Sequence, residues 1–215
     1  MAVAYVRGAI SGNTATGTVS ITAPTAGNLL VAFGVYVGTS TPTFTDSASG
    51  SWTVYTSTST LFASSANSIF VAYKVAGGSE TSITTSGNTP QGCSYVELSG
   101  AAASIANAVA TNNLSSATSA TTSALTTSGA GMILTAVGRS GGSFNPGVWT
   151  GTHIMTNVAT TTTRDYIGYY SSASGETSQT YTSNWVTSAS AGLLTVNIGP
   201  SGAGVSSGDG FFGML

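Results

Sequence analysis

Short apolar runs bounded by turn residues recur along this 215-residue chain. Each run is rich in Val, Ile, Tyr, Phe and Thr, which suit a pleated strand, and each is bordered by Gly, Ser, Asn or Pro, which favour turns. The segments that this pattern predicts as strands are residues 18–22, 28–37, 51–56, 68–75, 94–98, 132–137, 166–170 and 193–198. The pattern therefore predicts an all-β fold.

Segment 28–37 constrains the architecture further because apolar residues occupy both of its alternating sets. Successive side chains of a strand point to opposite faces of the sheet, so a strand that is apolar on both faces is covered on both. One predicted face carries Leu29, Val31, Phe33 and Val35, and the other carries Leu30, Ala32 and Tyr36. We expect this strand to be central and buried from both sides.

Five sequence blocks occur twice in the same order, which indicates an internal duplication. The matched pairs are 26–34 with 130–138, 52–53 with 149–150, 70–73 with 166–169, 79–81 with 175–177, and 95–98 with 195–198. Strands rich in Ser, Thr and Ala resemble one another in any case, but the repeated Trp-Thr and Glu-Thr pairs are not low-complexity matches. We therefore predict two tandem related halves, each an antiparallel, jelly-roll-like β-sandwich.

The duplication sets the predicted boundaries along the chain. Residues 1–10 form an N-terminal strand or arm, 11–100 the first half, 101–114 an Ala-rich linker and 115–200 the second half. The pattern leaves open whether the halves form two separate sandwiches or one merged unit.

The C-terminal segment 201–215 is a Gly- and Ser-rich tether with an apolar end. Such tethers are flexible, and large apolar groups at their end need a surface that receives them. The apolar residues are Phe211, Phe212, Met214 and Leu215. We expect a C-terminal arm that docks in a neighbouring subunit; folding back onto its own domain is the alternative.

The scarcity of charge is the unusual feature of the composition. Charged residues make up 5% of the chain, whereas about 25% is typical. Because 41% of the residues are hydrophobic, the chain can bury a core, and hydroxyls and small side chains must cover its surface. Little like-charge repulsion keeps copies of such a surface apart, which favours a homo-oligomer. Scattered basic residues and the lack of a long apolar run predict neither nucleic-acid nor membrane partners.

No set of residues has the pattern of a catalytic site, and we predict that the protein is not an enzyme. A nucleophilic serine or cysteine needs a base and an orienting group, and His153 is the sole histidine, in a Thr-rich segment. Cys93 is expected to be a small buried residue. The sequence contains no Cys/His cluster for zinc and no calcium-binding loop, so neither a metal nor a cofactor is predicted.

The acidic residues that stand at turns are interpreted as local hydrogen-bond acceptors. Asp46 lies in a Thr-Asp-Ser-Ala-Ser-Gly turn, and Glu80 and Glu176 each follow a Gly-containing turn. Side chains of this kind commonly accept bonds from nearby backbone N–H groups. This interpretation is favoured over a carboxylate pair for glycoside hydrolysis.

The tryptophans divide into core and surface candidates. Trp52 and Trp149 recur at matching positions, which is typical of the common core of a duplicated fold. Trp185 has no partner in the first half. It is therefore the candidate for an exposed aromatic that contacts a glycan.

The repeated blocks together resemble duplicated β-sandwich structural proteins of tailed bacteriophages. The residues that carry the resemblance are Gly-Asn-Leu-Leu-Val-Ala at 27–32, Trp-Thr at 52–53, Phe-Val-Ala-Tyr-Lys-Val-Ala-Gly-Gly-Ser-Glu-Thr at 70–81 and Tyr-Val-Glu-Leu-Ser-Gly at 95–100. The second copy is degenerate, and segment 201–215 falls outside the resemblance.

The resemblance implies a virion structural protein, either a capsid decoration (cement) protein or a tail-associated one. Its partners would be the major capsid protein or tail proteins and copies of itself, with assembly in the host cytoplasm. We expect decoration of the phage head; the alternative is a tail fibre or adhesin module that binds host surface carbohydrate. The N-terminus lacks a secretory pattern, which argues against a third class, an extracellular bacterial surface module, unless a leader has been removed.

Overall fold

The structure is a computed structural model that describes residues 1–11, 17–55, 60–62, 67–87, 89–139, 148–151, 154–158 and 165–202. All regular secondary structure in these residues is β-strand, which confirms the predicted all-β class. The strands are β1 Ala4–Ile10, β2 Thr18–Ser20, β3 Leu29–Val37, β4 Thr43–Asp46, β5 Thr53–Val54, β6 Thr60–Phe62, β7 Asn67–Val75, β8 Ser82–Ser86, β9 Thr89–Ser99, β10 Asn107–Thr121, β11 Gly131–Arg139, β12 Val148–Thr150, β13 Thr156–Asn157, β14 Asp165–Ser172 and β15 Thr182–Ile198.

The strands form two six-stranded sheets and one three-stranded sheet, all antiparallel. The first sheet has the order β1-β9-β3-β7-β5, with β6 also paired to β7. The second has the order β10-β15-β11-β14-β13, with β12 also paired to β15. The small sheet has the order β2-β8-β4. The two large sheets therefore have the same topology: in each, the first strand of the half is an edge strand and pairs with the last strand of that half.

The register of the two large sheets corrects the block alignment by one residue. Val31 pairs with Tyr73 and Val96, and Leu134 pairs with Tyr169 and Val196. Leu134 is therefore the counterpart of Val31, at an offset of 103 residues (134 − 31), whereas the match of 26–34 with 130–138 implies 104. A slip of one residue reverses the faces of a strand, so the correction matters. Descent of the two halves from a duplication stays a prediction.

The repeated Trp-Thr pair does not mark equivalent positions. Thr53 in β5 pairs with Tyr73, and Thr156 in β13 pairs with Tyr169. The residue that corresponds to Trp52 is therefore Met155. Trp149 lies in β12, which pairs with β15. Trp52 and Trp149 are therefore followed by the same residue in the sequence but do not occupy equivalent positions in the two sheets.

One apolar core joins the two large sheets face to face. Alternate residues of β3 and β11, among them Val31 and Leu134, lie in it. Each fully buried side chain of this size contributes about 1.5–3 kcal/mol. The other buried members are Val3, Leu29, Phe33, Val35, Ile69, Val71, Val96, Leu98, Ile105, Met132, Ala136, Ile167, Leu194, Val196 and Ile198. The two halves therefore share one core and do not form two separate sandwiches.

Each large sheet has a second core on its outer face. On the first sheet, Leu30, Ala32 and Tyr36 pack against Val19 and other residues of the small sheet. On the second sheet, the outer core contains Leu125, Ile133, Val137, Trp149, Met155, Tyr166, Tyr181, Trp185, Leu193 and others. Leu29 through Tyr36 are all buried, which confirms the prediction that this strand is central and covered on both faces.

The predicted linker 101–114 is wrong over most of its length. Residues 107–114 belong to β10, an edge strand that pairs with β15. The preceding segment is also bonded to that half, since the N–H groups of Ala102 and Ala106 donate to the carbonyls of Gly199 and Asn197. Small and polar residues predominate in 107–114, so the strand character of these residues comes from pairing with the apolar end of β15 more than from their own composition.

The N-terminal segment is not a detached arm, because β1 is an edge strand of the first sheet. It pairs with β9 from Ala4 opposite Ser99 to Ile10 opposite Ser94. The predicted C-terminal arm, with Phe211, Phe212, Met214 and Leu215, lies outside the described residues.

Candidate functional site

Most of the charged side chains in the described part of the chain are buried, and the others are half-buried. The chain has four basic and six acidic residues, and the side chains of Arg164, Asp165 and Asp209 are outside those described. None of the remaining seven is exposed: Arg7, Asp46, Lys74, Glu80, Glu97, Arg139 and Glu176 are buried or half-buried. The described surface therefore consists largely of uncharged groups, as the composition predicts, and the half-buried Arg7, whose side chain is 35% exposed, is the main exception.

Three of these residues form one cluster at the end of the first sheet, which we call the lysine cluster: Asp46, Lys74 and Glu80. Asp46 is the last residue of β4 in the small sheet, and Lys74 is the penultimate residue of β7 in the large sheet. Glu80 lies in the turn between β7 and β8. Lys74 Nζ lies 2.7 Å from Asp46 Oδ2 and 2.8 Å from Glu80 Oε1. The cluster therefore connects the two layers of the first half.

Water has little access to the lysine cluster. The side chains of Asp46 and Glu80 are 0% exposed and that of Lys74 is 9% exposed. The Trp52 indole borders the site and donates its Nε1–H to Asp46 Oδ2 at 2.8 Å. The Phe44 ring lies 6.3 Å from the Trp52 ring between centroids.

Backbone N–H groups solvate both carboxylates. Asp46 Oδ1 accepts bonds from the N–H groups of Ala48 at 2.8 Å and Gly50 at 3.2 Å. This is the local bonding that the turn sequence predicts for Asp46.

Glu80 is held in the same manner by its own turn. It accepts bonds from the N–H groups of Gly77, Gly78 and Ser79, at 2.7, 2.9 and 3.1 Å. Gly78 has φ +92°, a left-handed conformation that glycine adopts without strain. The prediction of local bonding is confirmed for Glu80 as well.

These contacts set the charge state of the cluster. Burial by itself raises the pKa of Glu80, but the bond from Lys74 and the turn N–H groups outweigh it and hold the pKa at about 2. The same balance of burial against the Lys74, Gly50, Trp52 and Ala48 donors lowers the pKa of Asp46. Burial lowers the pKa of Lys74, yet its two carboxylate partners raise it overall. At neutral pH the cluster is one ammonium between two carboxylates.

The glycine at position 50 leaves room for the approach of the lysine. A Cβ placed on Gly50 would lie 1.9 Å from Lys74 Nζ and 3.1 Å from Asp46 Oδ2. Any side chain here would displace the ammonium. The turn sequence and the lysine position therefore depend on each other.

Another buried carboxylate, Glu97 in β9, holds the edge of the first sheet. Its Oε1 accepts bonds from the Thr25 N–H at 2.9 Å and the Asn28 Nδ2 at 2.6 Å. Its Oε2 lies 2.8 Å from Nε of Arg7, whose side chain is 35% exposed. This set fixes β1 and the loop before β3 to one carboxylate, so its role is structural.

The prediction that Trp185 is exposed is wrong. The residue is 4% exposed, packs in the outer core of the second sheet, and donates its Nε1–H to the Ala117 carbonyl at 2.9 Å. Its neighbours Asn184 and Val186 point outward instead, because residues of a strand alternate between faces. A glycan contact through the Trp185 indole is therefore not available.

The other residues that the sequence analysis singled out are buried, half-buried or outside the described residues. Cys93 is fully buried, as predicted, and Trp149 is 4% exposed in a core. Trp52 is half-buried. His153 lies outside the described residues, and so does the apolar C-terminal set.

Sequence reasoning missed Lys74 as a site residue. The available signal was a single lysine in an otherwise apolar strand, Phe-Val-Ala-Tyr-Lys-Val-Ala, with acidic residues at turns on either side of it in the chain. A lone charge in such a strand needs a buried partner. Which carboxylates reach it depends on how the small sheet packs, and that is set by tertiary contacts.

The described residues offer little else for ligand chemistry. A cavity of about 290 Å³ is lined by Ala2, Val3, Ala130, Gly131, Ser171, Ser172, Ala173 and Pro200, none of which titrates. Within the described ranges no three His, Cys, Asp or Glu side chains are grouped as metal ligands. The same ranges contain no helix of the length and apolarity that crossing a membrane requires.

Comparison with known proteins adds no family to this description. No model of a known protein family matches the chain, and no curated protein sequence matches it.

Proposed function

We propose that the chain is a virion structural protein, a capsid decoration (cement) protein that coats the phage head through contacts between subunits. The observation that carries the proposal is the placement of charge in the described residues, where the charged side chains are buried or half-buried and hydroxyls lie at the surface. This proposal also rests on the resemblance of the repeated blocks to phage β-sandwich proteins.

The small sheet illustrates the uncharged surface. Its outward residues include Thr18, Thr43, Thr45 and Ser86, which are exposed. Across its strands, the hydroxyls of Thr18 and Thr84 lie 3.0 Å apart, and those of Thr43 and Ser86 lie 2.7 Å apart. Such a face can lie against an identical face without bringing like charges together.

A largely uncharged surface is an advantage to a protein that packs closely at high copy number. Net charge away from zero keeps ordinary proteins apart in solution, and the net charge here is only −2. A decoration protein has to pack beside many copies of itself, so weak repulsion favours its assembly.

The test is quantitative mass spectrometry of purified virions from the phage that encodes the chain. Decoration predicts a copy number comparable to that of the major capsid protein. A few copies per particle would favour the tail adhesin instead, and absence from purified particles would contradict a virion role.

A glycan array with the purified chain separates decoration from adhesion. Decoration predicts no carbohydrate ligand. Trp185→Ala is not the variant with which to block an adhesin site, because Trp185 is a core residue and its truncation would perturb folding.

A further inference from the structure

The lysine cluster holds the three groups that an amide-forming reaction between side chains needs. Lys74 supplies an amine, Asp46 a carboxyl carbon and Glu80 a proton acceptor, all in a site with little water. We propose that Lys74 and Asp46 condense to an isopeptide bond that covalently joins β7 to β4.

The two reacting groups are already in contact. Lys74 Nζ lies 2.7 Å from Asp46 Oδ2, and both residues lie in the last two positions of strands whose apolar residues pack in the outer core of the first sheet. Holding two reactants in this way replaces an encounter in solution by an intramolecular step, which lowers the entropic part of the barrier. Gly50 leaves open the space through which Nζ approaches the carboxyl group.

Asp46 Oδ1 has the donors that a developing oxyanion requires. The N–H groups of Ala48 and Gly50 both point to it, at 2.8 and 3.2 Å. When the amine adds to Cγ, negative charge grows on Oδ1, and fixed backbone donors stabilise that charge. Trp52 donates to the other oxygen, Oδ2, which is the oxygen that leaves.

Glu80 is the group that moves the proton. Its Oε1 lies 2.8 Å from Lys74 Nζ, so it accepts a proton from the ammonium and leaves a neutral amine. The amine attacks Cγ of Asp46, and the new N–C bond forms while Nζ loses a second proton. The bond from Cγ to Oδ2 breaks, and Oδ2 departs as water with both protons. Glu80 ends as the carboxylate it was at the start.

The overall change is balanced and removes two buried charges. An ammonium and a carboxylate become a neutral amide and one water, and no oxidant or activating reagent is consumed. Because burying an ion pair carries a large desolvation penalty, converting Lys74 and Asp46 to an amide removes that penalty, while Glu80 stays a carboxylate bonded to the N–H groups of its own turn.

A covalent bond here would take the place of a disulfide. The chain has a single cysteine, so no disulfide can form within it. The bond would close a loop from residue 46 to residue 74 and fasten the small sheet to the first large sheet. Closing a loop stabilises a fold by restricting the unfolded chain.

Trypsin digestion of the denatured wild-type chain followed by mass spectrometry tests the proposal without any variant. Trypsin cleaves after Arg7, Lys74, Arg139 and Arg164, and an acylated Lys74 is not a cleavage site. We expect a fragment spanning 8–139 that is one water lighter than its sequence. Separate 8–74 and 75–139 fragments at their sequence masses would overturn the proposal.

The fragment map also separates this bond from other losses of water. Cyclisation of Asp209 with Gly210 would lighten the fragment 165–215, and cyclisation of Asp46 with Ser47 would leave Lys74 cleavable. Either of these results, without an uncut 8–139 fragment, would count against the isopeptide.

Two variants test the assigned roles. Lys74→Arg keeps the positive charge but has no amine that can condense, so its chain is expected to be cut after residue 74 with no loss of mass. Glu80→Gln keeps the shape of the side chain but accepts no proton, and we expect most of the uncut fragment to disappear. A fully formed bond in Glu80→Gln would overturn the role of Glu80, with circular dichroism used to show that both variants are folded.

Discussion

Several tyrosine hydroxyls share the interior with the charged groups. Burial raises the pKa of Tyr36, Tyr166 and Tyr181 above the usual value near 10. In the unfolded chain these phenols ionise near pH 10, whereas in the folded protein they stay protonated. The folded state therefore binds more protons than the unfolded state above that pH.

Stability is expected to fall as the pH rises above about 10. Below the unfolded pKa the contribution is fully present, and above it each such tyrosine lowers the free energy of unfolding by about 1.4 kcal/mol per pH unit. Denaturant unfolding at a series of alkaline pH values measures the slope. Tyr166→Phe should reduce the slope by the share of one tyrosine, and a pH-independent stability across this range would contradict the account.

The residue scale is also where sequence reasoning was least complete. The bonding of Asp46 and Glu80 to their own turns was predictable because it involves residues close in the chain. The burial of Trp185 was not predictable, because a lone aromatic residue between Asn184 and Val186 gives no sign of which face of the strand is buried. Lys74 was missed because its two partners come from different layers.

At the scale of elements, glycine allows the core of the second half to pack tightly. A Cβ on Gly168 in β14 would lie 2.5 Å from Cε2 of Trp149. The indole cannot move away freely, since it is 4% exposed and its Nε1–H donates to Asn157 Oδ1 at 2.7 Å. This close approach joins β12, β13 and β14.

Gly168→Ala is therefore expected to lower the free energy of unfolding by about 1–3 kcal/mol, the usual range for overpacking. The matched control is Gly129→Ala, because a Cβ at Gly129 meets nothing within 4 Å. Chemical denaturation of both variants measures the difference. Equal stability of the two variants would show that the Trp149 indole yields to the added methyl group.

The C-terminal segment carries a separate prediction at this scale. Deletion of residues 211–215 should abolish incorporation into the particle and leave a folded chain, because the described strands end at Ile198. Virion mass spectrometry and circular dichroism give the two readings. Normal incorporation of the shortened chain would exclude a docking arm.

The elements differ in how far the sequence predicts them. β3 was predictable in position and burial because large apolar residues fill both of its faces. β10 was not, since Asn, Thr, Ser and Ala give no strand pattern and the strand exists through its pairing with β15. The alignment of the repeated blocks placed one strand a residue out of register, because similarity of composition does not fix which face is buried.

At the scale of the whole molecule, the shared core makes the two halves depend on each other. Each large sheet buries one of its faces against the other large sheet. The core between them therefore contains residues from both halves. A half on its own would present this apolar face to water. No repeat or linker signal in the sequence indicated this packing.

Expressed separately, residues 1–104 and 105–202 are expected to aggregate or to fold loosely, and co-expression should restore a soluble complex. Size-exclusion chromatography and near-ultraviolet circular dichroism distinguish these states. Two soluble, cooperatively melting halves would contradict a shared core that stabilises both.

We expect the chain, whose described surface is largely uncharged, to pack against copies of itself. Sedimentation velocity of the full chain over a range of protein concentrations, at about 0.1 M and about 1 M salt, tests it directly, because the screening length falls from about 10 Å to about 3 Å between these conditions. The account predicts association that grows with concentration and is equally strong at both salt levels. A monomer at every concentration, or an assembly that dissolves at high salt, would contradict it.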